Sequence, residues 1–141
     1  DNYGNVREEN ITGTQSFITY LYSYDNILPV AKIENASYTS VLNAVSNLSS
    51  TFITDLGNDN ITSSISTRLT SLRTEINTDL PYATIITTTY NTQIGVNDIS
   101  DMANIKTSYL YDAFGRLVTI KDNDGNIIKN YKYNYQPFSL E

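Results

Sequence analysis

Residues 109–135 read Tyr-Leu-Tyr-Asp-Ala-Phe-Gly-Arg-Leu-Val-Thr-Ile-Lys-Asp-Asn-Asp-Gly-Asn-Ile-Ile-Lys-Asn-Tyr-Lys-Tyr-Asn-Tyr, the clearest secondary-structure pattern in the chain. Apolar and polar residues alternate over 116–120, and a second strand-like run begins at Ile127. Between the two runs, Asp-Asn-Asp-Gly at 122–125 supplies turn residues, and its glycine provides the positive φ that a tight hairpin needs. The pattern therefore predicts a β-hairpin, preceded by another turn at 112–115.

The N-terminal stretch repeats part of this pattern. Tyrosines fall 16, 18 and 20 residues after Gly4 and again after Gly115, although Asn5 occupies the position of Arg116. These tyrosines are Tyr20, Tyr22 and Tyr24 in the first stretch and Tyr131, Tyr133 and Tyr135 in the last. We therefore interpret the N-terminal stretch as a degenerate copy of the C-terminal hairpin.

A third copy begins at Gly95 and closes with Tyr109 and Tyr111, while Asp101 and Asn104 take its turn positions. Its closing tyrosines also open the next copy, so the last two copies are in tandem with a period of about twenty residues. Repeats of this kind bury their faces only against neighbours. We therefore expect a sheet that is open at both ends.

The middle of the chain has a different rhythm. A strand-like run at 28–33 is followed by two apolar stripes at helical spacing, and a β pattern returns from 82 to 90. The stripes are Val41, Val45, Leu48 and Phe52, and then Ile61, Ile65, Leu69, Leu72, Ile76 and Leu80. Ser37 is the expected N-cap of the first helix, and Arg73 is expected on the polar side of the second. The middle segment therefore reads as strand, helix, helix, strand.

The predicted fold class is α+β. We expect an antiparallel, twisted sheet of hairpins with an inserted pair of amphipathic helices packed on one of its faces. The expected divisions are 1–27 for the degenerate hairpin unit, 28–90 for the insertion and 91–136 for the two tandem units. Residues 137–141 form a tail that we interpret as a cloning remnant.

Composition excludes several classes of function. The net charge of −6 disfavours nucleic acid and anionic membrane surfaces as partners. Apolar runs are only a few residues long, so no membrane insertion is expected. The chain has no cysteine and no histidine, which removes thiolate nucleophiles, imidazole bases and zinc sites built on those residues.

Carboxylates are the remaining candidates for catalysis or metal binding. Asp122 and Asp124 share one side of a turn, but no apolar pocket is visible in the sequence to separate their pKa values. The same turn has oxygen ligands at alternate positions, as a calcium loop does. An EF-hand loop needs Gly at its sixth and Glu at its twelfth position, where this chain has Ile127 and Tyr133. We therefore predict no enzyme activity, no cofactor and no metal site.

The tyrosines allow two interpretations. Alternating tyrosines share one face of a strand, and an exposed aromatic stripe can stack on sugar rings. The same residues serve as cross-strand packing pairs, which is the interpretation we favour. The candidate glycan-stacking residues are Tyr20, Tyr22, Tyr24, Tyr131, Tyr133 and Tyr135.

Eight C-terminal residues match, in order and spacing, the repeat Tyr-x-Tyr-Asp, Gly-Arg-Leu, Asp-x-x-Gly of bacterial Rhs/YD-repeat proteins. They are Tyr109, Tyr111, Asp112, Gly115, Arg116, Leu117, Asp122 and Gly125. The chain resembles that family from about Gly95 to Tyr135, more weakly at the N-terminus, and not in the middle. Within this repeat, Arg116 next to two carboxylates is interpreted as a bidentate pair that fixes the turns, with anion or acidic-sugar binding as the alternative.

The resemblance implies a segment of a large secreted or cell-surface bacterial protein whose repeats coil into a long β-sheet. In that family the sheet can enclose a toxin polypeptide or act as a stalk or adhesive surface. This chain lacks the family's Asp-Pro-x-Gly processing motif and carries a helical insertion, so a generic structural scaffold is the expected function. A glycan-binding adhesin surface is the alternative. The expected partners are neighbouring repeats, carbohydrate in the alternative, and a second copy paired through the sheet edges.

Overall fold

A computed structural model describes residues 1–14 and 16–134. Eight strands form one sheet in which each strand pairs antiparallel with the next along the chain. The strands are β1 Glu8–Asn10, β2 Phe17–Ser23, β3 Leu28–Glu34, β4 Thr84–Asn91, β5 Gly95–Ser100, β6 Lys106–Tyr111, β7 Leu117–Lys121 and β8 Ile127–Asn130. The helices are α1 Tyr38–Val45, α2 Phe52–Asn58 and α3 Thr62–Asp79. The predicted α+β class, an antiparallel sheet with helices packed on it, is confirmed.

The insertion contains three helices instead of the predicted pair, because the first apolar stripe is interrupted. α1 ends at Val45 and α2 starts at Phe52, while the residues between them are Ser-Asn-Leu-Ser-Ser-Thr. Their hydroxyls bond nearby main chain, as when Ser46 Oγ donates to the Asn43 carbonyl at 2.6 Å. Such local bonds compete with helix formation and end the first helix early.

Two helix signals in the sequence have different outcomes. Ser37 caps α1 as predicted, with its hydroxyl accepting the Ser40 amide at 3.2 Å. Gly57 lies between the two predicted apolar stripes, yet it is part of α2. A Cβ at Gly57 would lie 2.3 Å from Oδ1 of Asn26. The glycine therefore permits close packing of α2 on the turn before β3.

The hydrophobic core lies between the helices and strands β2–β4. Its strand residues include Leu21, Ile33 and Ile85, and its α3 residues include Leu72 and Ile76, all buried. In β2 and β4 alternate residues are buried and face the helices, and the residues between them face the opposite side of the sheet, called here the open face. The sheet and the inserted helices thus form two layers over this half of the molecule.

The other half of the sheet is a single layer. No described residue of β5, β6, β7 or β8 is buried. Each residue there is half-buried or exposed, so these strands are held by main-chain pairing and by cross-strand side-chain contacts. The molecule is therefore supported unevenly, with a packed half and an open half.

A bulge recurs at three junctions along the sheet, namely β2/β3, β4/β5 and β6/β7. At each junction the first strand of the next hairpin contains one unpaired extra residue. The extra residues are Val30, Asn97 and Val118. A further bulge, at Ile128, lies within the last hairpin between β7 and β8. Because a bulge is present at each junction between one hairpin and the next, the structural repeat is a pair of strands.

Candidate functional site

The repeat-motif residues form two turns at opposite ends of β7. In the first turn, the Gly115 amide donates to the Asp112 carbonyl at 3.0 Å. The amides of Phe114 and Arg116 donate to Asp112 Oδ1 at 2.9 and 3.0 Å. Gly115 has φ of +74°, which is the left-handed conformation that glycine adopts without strain. Asp122 and Gly125 form the second turn, so the structure brings the motif residues together in two groups.

The same turn occurs four times in the part of the chain that the structure describes. An aspartate Oδ1 accepts the amides two and four residues later, and the aspartate carbonyl accepts the amide three residues later. The turns begin at Asp1, Asp101, Asp112 and Asp122, and their fourth residues, Gly4, Asn104, Gly115 and Gly125, all have positive φ. Asn104 has φ of +61°, so the turn requires the left-handed conformation and not glycine itself.

Two of the turn aspartates, Asp112 and Asp122, are stabilised in their charged form. Hydrogen bonds from the Arg116 side chain, and then from turn amides, lower the pKa of Asp112. For Asp122, the hydrogen bond from the Asn126 side chain is the largest cause of the lowered pKa, followed by turn amides. These carboxylates therefore act as fixed anionic acceptors for the main chain.

Arg116 joins the first turn to the end of the described chain. Its Nε and Nη2 atoms lie 2.8 and 2.5 Å from Asp112 Oδ2. Its guanidinium also lies over the rings of Phe114 and Tyr133, at 5.3 and 4.3 Å. The predicted pairing with Asp112 is present, whereas Asp122 lies in the turn at the other end of β7. Sequence reasoning missed the contact with Tyr133, which is 17 residues away along the chain.

The N-terminal copy replaces the missing arginine in part. Asn5, at the position of Arg116, donates its side-chain amide to the Asn26 carbonyl at 2.7 Å. Arg7 supplies the cation instead, with Nε 3.6 Å from Asp1 Oδ2. Its guanidinium lies 5.1 Å from the centre of the Tyr38 ring. The N-terminal turn thus has a weaker ion pair and a second contact to helix α1.

Each closing tyrosine donates its hydroxyl to a carbonyl at the start of its own hairpin. The bonds are Tyr22 to Val6 at 2.9 Å, Tyr111 to Val96 at 2.7 Å and Tyr133 to Leu117 at 2.8 Å. The bonded residues are 16, 15 and 16 positions apart. Three hairpins therefore share the same cross-strand hydrogen bond from a tyrosine hydroxyl to a carbonyl, called here the clasp. This clasp explains why the tyrosine offsets recur in the sequence.

A fourth clasp reveals a hairpin that sequence reasoning missed. Tyr90 donates its hydroxyl to the Pro29 carbonyl at 2.9 Å, across 61 residues. β3 and β4 thus form a hairpin of the same kind, in which the three helices take the place of the turn. The signal available in the sequence was Tyr90 five residues before Gly95, close to the four-residue spacing between Tyr111 and Gly115.

Tyr24 corrects the prediction of a three-tyrosine stripe. It lies beyond the end of β2, has φ of +54° and is only 3% exposed. Its hydroxyl donates to the Tyr90 carbonyl at 3.0 Å and accepts the Tyr90 amide at 2.8 Å. Positive φ at residues 24–26 turns the chain, so the ring packs in the core and is inaccessible to a sugar. Tyr135, the last predicted member of the other stripe, lies outside the described residues.

Tyr20, Tyr109 and Tyr131 are half-buried on the open face. Tyr20 lies opposite Lys32 on β3, and Tyr109 lies opposite Ile120 on β7. Tyr131 follows β8, and the Lys129 ammonium lies 4.9 Å from its ring centre. The register therefore places Tyr20 and Tyr109 beside side chains of the neighbouring strand. Within residues 1–14 and 16–134, the structure therefore shows single tyrosines beside clasped ones and no continuous exposed stripe of three.

Arg73 is a buried cation that sequence reasoning placed on the exposed side of its helix. It is 6% exposed, and Nη1 donates to the Ile85 carbonyl at 3.0 Å. Nη2 donates to the Ser100 carbonyl at 3.1 Å and the Thr87 hydroxyl at 3.3 Å. Burial lowers its pKa. Arg73 therefore joins α3 to both β4 and β5, the junction between the packed and open halves.

A polar cleft of about 240 Å³ lies beside Arg73, between α3 and the strands. Hydroxyl and amide side chains dominate its lining, together with Asp98 and Lys106. Asp98 accepts the Ser108 hydroxyl at 2.6 Å and the Asn97 side-chain amide at 3.0 Å. We interpret the polar side chains that line this cleft as groups that attach helix α3 to the neighbouring strands.

No protein-family model, curated protein or solved structure matches this chain. Residues 1–14 and 16–134 contain no helix of sufficient length and hydropathy to cross a membrane. Within the same residues there is no group of three or more histidine, cysteine or acidic side chains placed to hold a metal ion. The geometry of the repeated hairpins is therefore the main guide to function.

Proposed function

We propose that this chain is a structural repeat segment of a large secreted or cell-surface bacterial Rhs/YD-repeat protein, acting as a scaffold with no catalysis of its own. The observation that carries the proposal is the recurrence of one geometry in four consecutive hairpins, each closed by a tyrosine hydroxyl on a carbonyl. In this scaffold, neighbouring repeats pair with the outer strands and continue the sheet.

The single-layer half supports this proposal. Strands β5–β8 contain no buried residue, yet they keep the same turns and clasps as the packed half. These strands are held in place by turns and clasps that recur from hairpin to hairpin and that need a neighbouring strand as partner. Such a construction can be lengthened by adding hairpins, whereas an enzyme site would require one unique arrangement of side chains.

The proposal is tested by lengthening the chain by one hairpin. Tyr133 is followed by Asn134 as Tyr111 is followed by Asp112, so residues 112–133 can be repeated directly after Tyr133. We expect the midpoint of chemical unfolding to rise, because β8 and Tyr133 gain the partners that β6 and Tyr111 already have.

The matched control carries the same insertion with Asp112→Ala and Gly115→Val in the added copy, which removes the turn acceptor and requires strain at positive φ. We expect this control to unfold at the midpoint of the original chain. An intact added hairpin that leaves the midpoint unchanged, or lowers it, would contradict the scaffold proposal.

Glycan binding is the second candidate, and two half-exposed rings on the open face support it. Tyr20 and Tyr131 have no main-chain clasp for their hydroxyls among the described residues, so their rings and hydroxyls are available to a sugar. We expect competable binding to an immobilised oligosaccharide at millimolar to micromolar affinity. Tyr131→Ala should abolish it while the fold survives, and the exposed Tyr82→Ala should not. Binding unchanged by Tyr20→Ala and Tyr131→Ala would remove these rings from consideration.

A further inference from the structure

Both outer strands of the sheet have a free side. Among the described residues, β1 pairs with β2 alone and β8 pairs with β7 alone. All four residues of β8 are exposed, including Ile127 at 60% and Ile128 at 61%. Exposed strand edges offer unpaired amides and carbonyls to another strand.

The two strands with a free side hold different positions in their hairpins. At every internal junction, the second strand of one hairpin pairs antiparallel with the first strand of the next, as at β2/β3, β4/β5 and β6/β7. β8 is the second strand of the last hairpin and β1 is the first strand of the first hairpin. Pairing β8 with β1 of another copy would therefore repeat a junction that already occurs three times.

The register of such a pairing follows from the internal junctions. At each junction, the closing tyrosine of one hairpin lies opposite a residue in the first strand of the next hairpin. The carbonyl of that residue accepts the hydroxyl of the next closing tyrosine. The observed pairs are Tyr22 with Pro29, Tyr90 with Val96, and Tyr111 with Leu117. Tyr133 and Val6 are the corresponding residues of the two free strands, since each takes part in a clasp of its own.

Main-chain bonds support the same correspondence between the first and last hairpins. The Tyr20 amide donates to the Arg7 carbonyl, and the Tyr131 amide donates to the Val118 carbonyl, both at 2.9 Å. Because amides alternate in direction along a strand, the amide of Asn130 points to the free side of β8. The outer side of β8 is therefore oriented for pairing.

The charges of the two edges are opposite at the positions that this register brings together. At β2/β3, Leu21 lies opposite Ala31 and Tyr20 lies opposite Lys32. Transferred to β8 and β1, the same register places Lys132 opposite Glu8, whose Oε2 also accepts the Tyr38 amide at 2.6 Å. It also places Lys129 diagonal to Glu9 on the same face of the sheet, within reach of its long side chain. Opposite charges across strands favour this register over pairing of two β8 strands, which would oppose lysines.

We propose that two copies of this chain associate head to tail, with β8 of one copy pairing antiparallel with β1 of the next. The inference rests on the proposed scaffold function, because it uses the junction geometry as an interface between separate chains. The contact is heterologous, so it leaves a free β1 and a free β8 at the ends of every assembly and allows growth into longer chains.

Cysteine crosslinking tests the register directly, because the sequence has no cysteine of its own. Glu8→Cys and Lys132→Cys are prepared as separate proteins, mixed and oxidised. Directly opposed residues on antiparallel strands have Cβ atoms about 4.5–5.5 Å apart, close to the separation in a disulfide. We expect a disulfide-linked heterodimer from the mixture.

The controls separate this arrangement from the alternatives. Tyr82→Cys mixed with Lys132→Cys reports random collision, since Tyr82 is exposed and lies outside both edge strands. Lys132→Cys oxidised alone reports pairing of two β8 strands. A heterodimer yield no higher than the Tyr82 mixture, or efficient crosslinking of Lys132→Cys with itself, would overturn the proposal.

Sedimentation velocity tests the charge complementarity. The wild-type chain should move from monomer to dimer and longer assemblies as concentration rises, and added salt should oppose this. Lys132→Glu should return it to monomer, and the charge-swapped Glu8→Lys/Lys132→Glu protein should associate again. Circular dichroism of each variant checks that the fold is kept. A wild-type chain that stays monomeric at millimolar concentration and low salt contradicts the proposal.

The two proposals fail in different ways. Lengthening by one hairpin measures pairing within a chain, whereas crosslinking measures pairing between chains. If the added hairpin stabilises the chain but copies do not crosslink, only the head-to-tail inference is wrong. If the added hairpin fails to stabilise, the scaffold function is wrong as well.

Discussion

A phenol hydroxyl on a main-chain carbonyl is the smallest unit of this fold. Desolvation by burial raises the pKa of Tyr22, Tyr90 and Tyr111, so each hydroxyl keeps the proton that it donates. The sequence spacing alone identified the tyrosines of three hairpins. It could not show that the hydroxyl, and not only the ring, is used.

Tyr111→Phe tests the clasp at a single atom. We expect the free energy of unfolding to fall by about 0.5–1.5 kcal/mol, because the Val96 carbonyl loses its donor while the ring stays in place. Tyr82→Phe is the matched control, since Tyr82 is 88% exposed. Chemical denaturation measures both. An equal effect of the two changes would show that the clasp contributes nothing to stability.

The turn aspartates predict how stability depends on pH. The folded-state pKa values of Asp112 and Asp122 lie below the ordinary value of 3.8, so the unfolded state binds more protons as pH falls through this range. Their contribution is complete above the ordinary value and is lost as pH falls through the folded-state values. Unfolding measured from neutral to strongly acidic pH should show this loss.

Asp112→Asn and Asp122→Asn provide the control for the pH dependence. Each keeps an oxygen that can accept the turn amides and removes the titrating group. We expect each variant to have a smaller loss of stability between neutral and acidic pH than the wild-type chain. A pH dependence unchanged by both substitutions would place the responsible carboxylates elsewhere.

Turns show what the sequence can predict at the level of elements. The Asp-x-x-Gly turns at 112–115 and 122–125 were predictable because all their bonds are local. The turn at Tyr24 was not, because three consecutive non-glycine residues adopt positive φ there. No glycine marks this turn in the sequence, and the spacing of Tyr24 from Tyr22 suggested that the strand continued. The burial of Tyr24 was therefore missed.

Position 115 tests the requirement for a left-handed residue. A Cβ there would lie 3.7 Å from Ile94 Cγ2, so space is not limiting and backbone strain decides. We expect Gly115→Asn to remain within about 1 kcal/mol of wild type, since Asn104 occupies the equivalent position. Gly115→Val should lose at least about 1–2 kcal/mol. Thermal unfolding would contradict this view if valine were tolerated as well as asparagine.

Helix α3 is attached to the sheet by more than apolar contact. Helical periodicity identified its buried stripe, but Arg73 lies at the border of that stripe, and a long side chain there can turn inward or outward. Its partners, Ile85, Thr87 and Ser100, lie on strands whose position depends on the complete fold. Sequence reasoning therefore had no local signal for this contact.

Arg73→Met tests the attachment. We expect a loss of about 1–3 kcal/mol, because carbonyls and a hydroxyl lose their donor in a buried place. Lys106→Gln, an exposed change at the mouth of the same cleft, should stay within about 0.5 kcal/mol. Chemical unfolding gives both values. An Arg73→Met variant with an unchanged free energy of unfolding would mean that water or packing replaces the guanidinium without loss of stability.

At the scale of the whole molecule, four hairpins of one design share a sheet, and helices support only some of them. The α+β class and the tandem C-terminal hairpins were predictable because their signals are local and periodic. That β3 and β4 form a hairpin was not, because its two strands are separated by three helices. An insertion at the hairpin turn preserves the strand pairing while removing the sequence proximity that reveals it.

Uneven support should appear as uneven local stability. Apolar burial is confined to the half that contains β2–β4 and α3, and local unfolding is easiest where buried contacts are few. The open half relies on clasps, turns and neighbouring strands, as a segment made to be continued by further repeats would.

Amide hydrogen exchange of the wild-type monomer, measured residue by residue by NMR, tests this account most directly. We expect the slowest exchange in β3, β4 and α3, and progressively faster exchange from β5 to β8, with protection ending at the free edge. Equal protection across all eight strands, or protection in β7 and β8 as strong as in β3, would contradict the description of this chain as an open, extendable array of hairpins.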